Sequence, residues 1–211
     1  MKSEKTLRVT GRPRCFCVHD ALDKALEVFW EKGYEGASLT DLTEAMGINR
    51  PSLYAAYGNK EQLFAKVLDR YAELYGSFIS EALARESIDD AVHRLLYGSA
   101  HTLTQPDKPH GCLGVQGALS CGEAGDFAKQ ELIRRRELVQ GMVLNRLRRA
   151  VIEGEIPEGV DLESITGFLM ATNNGMSVQA TGGASREDLE KIAEIAHQAF
   201  RTVARLQVTQ S

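Results

Sequence analysis

The sequence lacks any apolar run of the roughly 18 to 20 residues that a membrane-spanning helix requires. Its first ten residues are polar and basic without an apolar stretch, so we expect no signal peptide. Glycine-rich phosphate loops, the His-Glu-x-x-His zinc motif and a dinucleotide fingerprint are absent too. We therefore expect a cytoplasmic protein that has no membrane partner and needs no cofactor.

Cysteine is scarce, with four residues in 211, and their spacing forms no disulfide framework. Cys15, Cys17 and His19 could contribute to a metal site, but a closed zinc site needs a fourth ligand and the sequence offers none nearby. We interpret this cluster as a linker before the first helix and predict no metal.

Cys112 and Cys121 lie nine residues apart in a segment rich in small residues. Nine positions of a regular helix amount to half a turn out of phase, so the two thiols would lie on opposite faces. We interpret both as buried and inert. A sensor of oxidants or electrophiles is the alternative, since it would need an exposed thiolate near positive charge. Arg134, Arg135 and Arg136 are interpreted as a solvated helix face.

The net charge of −4 is distributed unevenly along the chain. Residues 1–70 hold 11 basic and 10 acidic residues, whereas residues 71–211 hold 14 and 19. Five basic residues and one acid fall in the first 14 positions, which predicts a basic arm over residues 1–14. This asymmetry favours contact with nucleic acid at one end only.

Helical periodicity runs through almost the whole chain, which predicts an all-α fold. The first amphipathic pattern covers about 20–33, and a long helix begins at Asn59 and carries residues as far as Phe78. The other predicted helices cover about 38–46, 50–57, 88–104, 112–121, 126–153, 161–180 and 186–208. We predict a three-helix domain over 15–60 and a larger helical domain over 61–211.

Two short helices separated by a glycine turn form a helix-turn-helix pattern in the smaller domain. The pattern runs through Leu42–Met46, Gly47 and Asn49–Tyr57. The second helix must be short, because its first residues have to reach base edges in a major groove about 12 Å wide. Glycine allows the sharp turn between the helices because it adopts positive φ without strain.

The motif belongs to a longer series of segments at fixed spacing: Ser38–Leu42, Ala45–Ile48, Arg50–Tyr54, Tyr57 and Asn59–Leu63. Together these segments resemble the N-terminal signature of TetR/AcrR-type repressors, and Gly11–Arg14 resembles the arm of many members. The resemblance covers roughly residues 11–68. The rest of the chain agrees with the family in length and helical content, and Thr43 stands where the family usually has alanine.

The resemblance implies that the protein binds double-stranded operator DNA. The residues that would face bases are Arg50, Pro51, Ser52 and Ala55. The residues that would hold phosphates are Ser38, Thr40, Tyr54, Tyr57 and Lys60. Arg12 and Arg14 would enter the neighbouring minor groove. Tyr57 also suits the core, because the family usually has an aromatic residue near this position.

The larger domain is expected to dimerise and to bind a small molecule. Apolar stripes over about 161–180 and 186–208 predict a homodimer through the last two helices. The residues proposed for a ligand pocket share aromatic, sulfur or amide character: Tyr75, Phe78, Tyr97, Cys112, Met142 and Asn173. A bound effector would tilt the long helix and change the spacing of the two recognition helices, which would release the repressor from DNA.

Two other classes of function stay open. The first is a thiol-based redox or electrophile sensor of the same fold that uses Cys112 or Cys121. The second is a helical protein or enzyme that does not bind DNA. His101 and His110 precede Cys112, but no oxyanion element or third orienting group is recognisable. We therefore predict no enzymatic activity and no catalytic residue.

Overall fold

The computed structural model describes residues 18–119 and 125–205, and all regular structure in these ranges is helical. The helices are α1 Val18–Gly36, α2 Leu39–Met46, α3 Arg50–Tyr57, α4 Lys60–Tyr75, α5 Ser77–Leu83, α6 Ile88–Leu103, α7 Leu113–Leu119, α8 Asp126–Ile152, α9 Leu162–Thr181 and α10 Arg186–Val203. No helix in these ranges is long and apolar enough to cross a membrane. The predicted arm with Arg12 and Arg14, together with Cys15, Cys17 and Cys121, lies outside the described residues.

The ends of α2 and α3 follow from local side-chain chemistry. The Ser38 hydroxyl accepts a hydrogen bond from the Asp41 backbone N–H, and the Asp41 carboxylate accepts one from the Ser38 N–H. Gly47 ends α2 in the left-handed conformation with φ of 67°. The Asn49 side chain then caps α3 by accepting from the Ser52 N–H at 2.8 Å. These caps determine the tight turn that the motif requires.

Aromatic rings fill the core of the N-terminal domain. Phe29 of α1 meets Phe64 of α4 edge to face, with 5.0 Å between the ring centroids, and Tyr34 lies 5.0 Å from the same ring. Leu42 of α2 and Leu53 of α3 are completely buried in this core. The two short helices are therefore fixed by packing against α1 and α4, since helices of eight residues are not stable alone.

The N-terminal core extends beyond residue 60, where we predicted a domain boundary. The core residues that lie past this point are Leu63, Phe64, Val67, Leu68, Leu113, Ala128 and Leu132. The first half of α4 thus belongs structurally to the N-terminal domain. The starts of α7 and α8 also pack against that domain.

A second core is built from α5, α6, α8, α9 and α10. Polar contacts reinforce it between α6 and α10. The Asp89 carboxylate accepts from the Arg201 guanidinium at 2.6 and 2.8 Å and lies 2.8 Å from His197 Nε2. The last helix is therefore held to the body by both apolar packing and an ion pair.

The long helix predicted from Asn59 to Phe78 is interrupted at Gly76, which corrects the prediction. A Cβ at Gly76 would lie 2.6 Å from the Ala72 carbonyl oxygen, so only glycine fits this bend. Phe78 belongs to the separate helix α5, where its ring packs closely on Gly98 of α6. The break directs α5 into the C-terminal core, while the first half of α4 stays with the N-terminal core.

Candidate DNA interface and ligand cavity

The first turns of α3 present a surface available to DNA. Arg50, Pro51, Tyr54 and Ala55 are exposed, and Ser52 is half-buried. Leu53, on the opposite face of the helix, is completely buried. The predicted base-facing residues therefore all lie outside the packed face of α3, where they are accessible to a partner.

Thr40 and Arg50 connect the two helices of the motif on their outer surface. The Arg50 Nη2 donates a hydrogen bond to the Thr40 hydroxyl at 3.0 Å. Both side chains are exposed. The hydrogen bond holds the guanidinium near the start of α3, where a bidentate contact to guanine would be made.

Thr43, the departure from the family pattern, fits without strain between the helices. Its hydroxyl donates to the carbonyl oxygens of Leu39 and Thr40 at 2.9 and 3.1 Å. The side chain is buried, and these bonds to its own helix satisfy the hydroxyl. The substitution therefore leaves the helix-turn-helix geometry intact.

Ser38 and Lys60 lie at the starts of α2 and α4. Ser38 is exposed, but its side chain already caps α2 through Asp41. The Lys60 Nζ lies 4.5 Å from the centroid of the Tyr34 ring, a cation–π contact. Burial lowers the pKa of Lys60, and Glu35 partly opposes that shift. Both groups are near helix N-termini, where backbone N–H groups favour a phosphate.

Tyr57 does not occupy a position suited to a phosphate contact. Its side chain is 3% exposed, and its hydroxyl donates to the Val18 carbonyl oxygen at 2.6 Å. The residue joins the end of α3 to the start of α1. The structure thus favours the core role over the predicted DNA contact.

A cavity of about 260 Å³ lies between α4, α8 and α9 and is closed at one end by the start of α7. Its apolar wall includes Leu68, Ile79, Val115, Leu132, Val139 and Met170. Cys112 and Asn173, two of the predicted pocket residues, also line it. A mostly apolar cavity with a few polar groups is the usual form of a small-molecule site.

The other four predicted pocket residues lie elsewhere, which corrects the prediction. Tyr75 packs edge to face against Trp30, with centroids 5.0 Å apart. Phe78 and Tyr97 line a separate cavity of about 330 Å³ between α5 and α6, and Met142 lines a more open groove between α5 and α8. Sequence periodicity identifies the inward face of each helix but not which neighbour that face meets.

Three cavity residues were missed or misinterpreted at the level of sequence. Tyr71 lies one helical turn before Tyr75 on α4. Because Tyr75 was a predicted pocket residue, this spacing could have identified Tyr71 as one too. Burial, and then the neighbouring Cys112 side chain, raise the pKa of Tyr71 well above its ordinary value. The arginine run was interpreted as a solvated face, yet Arg135 and Arg136 line the cavity and only Arg134 faces fully outward.

The cavity wall is joined to the DNA-binding domain through the loop before α7. The Cys112 N–H donates to the Ser177 hydroxyl of α9 at 2.8 Å. The preceding residue, Gly111, accepts a hydrogen bond from the buried Trp30 indole N–H at 3.2 Å. An ion pair of 2.8 Å between Lys108 and Glu27 adds a second link to α1. The cavity wall and α1 are therefore connected through this loop by two hydrogen bonds and an ion pair.

Comparison with known proteins identifies the family. The model for bacterial regulatory proteins of the tetR family matches residues 21–67, from α1 to the middle of α4. The chain is 37% identical over 187 residues to the HTH-type transcriptional repressor ComR of Escherichia coli K12, covering 87% of this chain and 88% of that protein. The chain belongs to the TetR family. It is a transcriptional regulator and not an enzyme, as predicted.

Other TetR relatives match over nearly the full length. The HTH-type transcriptional repressor BdcR of the same organism is 28% identical over 205 residues, which are 96% of this chain and 98% of that one. A cysteine mutant of the TetR family regulator CifR has been solved in complex with 26-base-pair operator DNA. It superimposes with a TM-score of 0.85 at 37% identity, covering 89% of this chain and 99% of that one.

The two tyrosines of α3 allow a matched test of the Tyr57 assignment. We expect Tyr57→Phe to lower the free energy of unfolding by about 1 kcal/mol, because a buried hydrogen bond is lost. Tyr54→Phe, which changes an exposed residue of the same helix, should leave stability unchanged. Urea unfolding at fixed protein concentration measures this difference. Equal stability of both variants would contradict a stabilising role for the hydrogen bond between Tyr57 and Val18.

Proposed function

We propose that the protein is a homodimeric repressor that binds operator DNA through α3 and is released when a small molecule occupies the cavity. The observation that carries this proposal is the close similarity to a family member solved on its operator, together with the exposed face of α3. Two half-sites, each read by one subunit, would supply both affinity and specificity. Operator binding implies that the protein acts in the cytoplasm.

The proposed DNA contacts follow the exposed residues of the motif. Base edges would be read by Arg50, Pro51, Ser52 and Ala55. Phosphates would be held by Ser38, Thr40, Tyr54 and Lys60. Arg12 and Arg14 remain proposed for the adjacent minor groove, because the basic character of the arm suits that environment. Tyr57 is left out because its side chain is buried.

The effect of a ligand would be transmitted by the contacts around Trp30. Its ring is 1% exposed and packs 4.9 Å from Tyr71, a residue of the cavity wall, while its N–H binds Gly111. A ligand that displaces Tyr71 or Cys112 would shift α1 and α4 against the C-terminal body. The two recognition helices of the dimer would then lose their operator spacing.

Apolar residues on the outer faces of α9 and α10 support the proposed dimer. On α9, Phe168, Ala171, Gly175 and Val178 form one exposed face at helical spacing. A Cβ at Gly175 would meet nothing within 4 Å, so a second helix can approach closely there. On α10, Ile195 is 69% exposed. Such a surface would be covered by a second copy of the chain.

A thiol-based mode of release is the second candidate, and the position of Cys112 favours it. The thiol lines the cavity, beside Tyr71 and one residue from the contact with Trp30. An electrophile that alkylates Cys112 would add bulk at this point. Cys121, the other predicted thiol, lies outside the described residues and stays a proposal.

Arg50→Ala is expected to weaken operator binding by about 1 to 3 kcal/mol and to relax sequence preference, because a bidentate base contact is lost. Fluorescence anisotropy with an operator duplex and a scrambled duplex measures both effects. Arg94→Ala serves as the control, since Arg94 is exposed on α6 and pairs only with Asp90 among the described residues. Unchanged binding by Arg50→Ala would argue against α3 as the recognition helix.

Val178→Glu is expected to produce monomers, because a charge would be placed in the apolar face of α9 and desolvated on dimerisation. Sedimentation equilibrium measures the mass, and operator affinity should fall in parallel. Leu74→Glu is the control, because Leu74 is similarly exposed but lies on α4. A dimer as tight as that of the parent protein would rule out this face as the interface.

Cys112→Ser separates the two modes of release. If the effector binds reversibly, the variant should still leave the operator on addition of an effector found by screening. If alkylation is the signal, N-ethylmaleimide should release the parent protein from DNA but not Cys112→Ser. Anisotropy of the labelled operator is the readout. Release of both proteins by N-ethylmaleimide would contradict the thiol-based mode at Cys112.

A further inference from the structure

All charged residues that are described in the cavity lining are basic. Two arginines, Arg135 and Arg136, contribute to its wall, and the remaining polar groups are neutral. No Asp or Glu is found among the described residues that line it. A cavity with basic but no acidic lining groups favours a ligand that carries a negative charge.

The two arginines differ in what they already bind. Arg135 is neutralised by Glu131 at 2.8 Å and by Asp69 at 2.6 Å. Arg136 is half-buried, and no carboxylate in the described ranges lies within 4.0 Å of it. Arg136 is therefore the arginine of the cavity wall that has no ion-pair partner among the described residues. Partial burial strengthens an ion pair because the local dielectric constant is lower than in water.

A second polar group of the wall also lacks a partner. The Oδ1 atom of Asn173 is buried and accepts no hydrogen bond in the described part of the chain. Buried polar atoms are nearly always paired in folded proteins, so such an atom indicates a site that something else completes. An ionised carboxylate accepts hydrogen bonds but does not donate them, so this oxygen would be completed by a water molecule or by an N–H or O–H group elsewhere on the ligand.

The volume limits the size of this ligand. An engineered cavity of about 150 Å³ holds one benzene ring. The 260 Å³ of this cavity therefore accommodate a ring, or a short alkyl chain, with a small polar group attached. The apolar wall from α4, α8 and α9 would surround the hydrocarbon part.

We infer that the effector is a small, mostly apolar carboxylate whose negative group is bound by Arg136. This inference rests on the proposed function, because it assigns the ligand class of the same cavity. Arginine suits the task, since its planar guanidinium forms two parallel hydrogen bonds with a carboxylate. The hydrocarbon part provides affinity through burial, and the charge provides selectivity.

The test compares carboxylates with their uncharged amides, which have nearly the same shape. The probes are benzoate and benzamide, 3-phenylpropanoate and 3-phenylpropanamide, and hexanoate and hexanamide. Isothermal titration calorimetry measures each Kd on the full-length protein. We expect at least one carboxylate to bind at least tenfold more tightly than its amide. Arg136→Gln should weaken that carboxylate by about 10- to 100-fold and leave the amide unchanged.

Arg134→Gln is the matched control, because Arg134 is on the same helix, faces solvent and pairs with Glu131. It should bind the carboxylate like the parent protein. Arg136→Lys should recover part of the affinity, because it keeps the charge but loses the second hydrogen bond. Far-UV circular dichroism establishes that each variant is folded, and Arg136→Lys replaces Arg136→Gln if the latter does not fold.

Two results would overturn the inference: no carboxylate binds more tightly than its amide, or Arg136→Gln and Arg136→Lys both bind the carboxylate like the parent protein. Operator binding without any small molecule is measured separately by anisotropy. A protein that binds its operator but does not prefer carboxylates refutes only the ligand class. A protein that prefers carboxylates but binds no operator refutes only the proposed function.

Discussion

The packing of Trp30 is the contact on which the relation between the two halves of the molecule depends. The indole is buried between Tyr71 and Tyr75 of α4, and its N–H donates a hydrogen bond to the carbonyl oxygen of Gly111. Because α1 also packs against α2 of the helix-turn-helix, the position of the recognition helix α3 depends on this ring. The residue after Gly111 belongs to the cavity wall. Trp30 thus connects the cavity, where a ligand would bind, to the helices that would contact DNA.

Gly111 can make this contact only because it has no side chain. Its φ is 86°, and a Cβ there would lie 2.3 Å from Gln116 Nε2 and 2.4 Å from Thr181 Oγ1. The loop is consequently pressed against α7 and α9, where Gln116 also donates to Thr181 at 2.8 Å. The helix proposed to form the dimer and the helix that carries Trp30 therefore meet across a single peptide segment.

Local chemistry explains why much of the fold could be predicted from the sequence. The bounds of α2 and α3 depend on Ser38, Gly47 and Asn49, whose caps act within a few residues. The break at Gly76 was missed, because the apolar pattern of the helix continues past this glycine to Phe78, which belongs to α5 and packs on Gly98. The predicted cavity was mostly misassigned for another reason. Helix crossing decides which inward faces meet, and crossing depends on the whole core.

The existence of two separate hydrophobic cores has a consequence for how such a regulator can change. Met170 and Val139 face the cavity, whereas the packing that supports α3 is made by residues such as Leu42 and Leu53. These two sets have no residue in common, and the N-terminal core meets the cavity wall at Leu68 and Leu132. The preference for an effector and the preference for an operator can therefore change independently among descendants of one gene. This requires that the contacts between the two cores are kept.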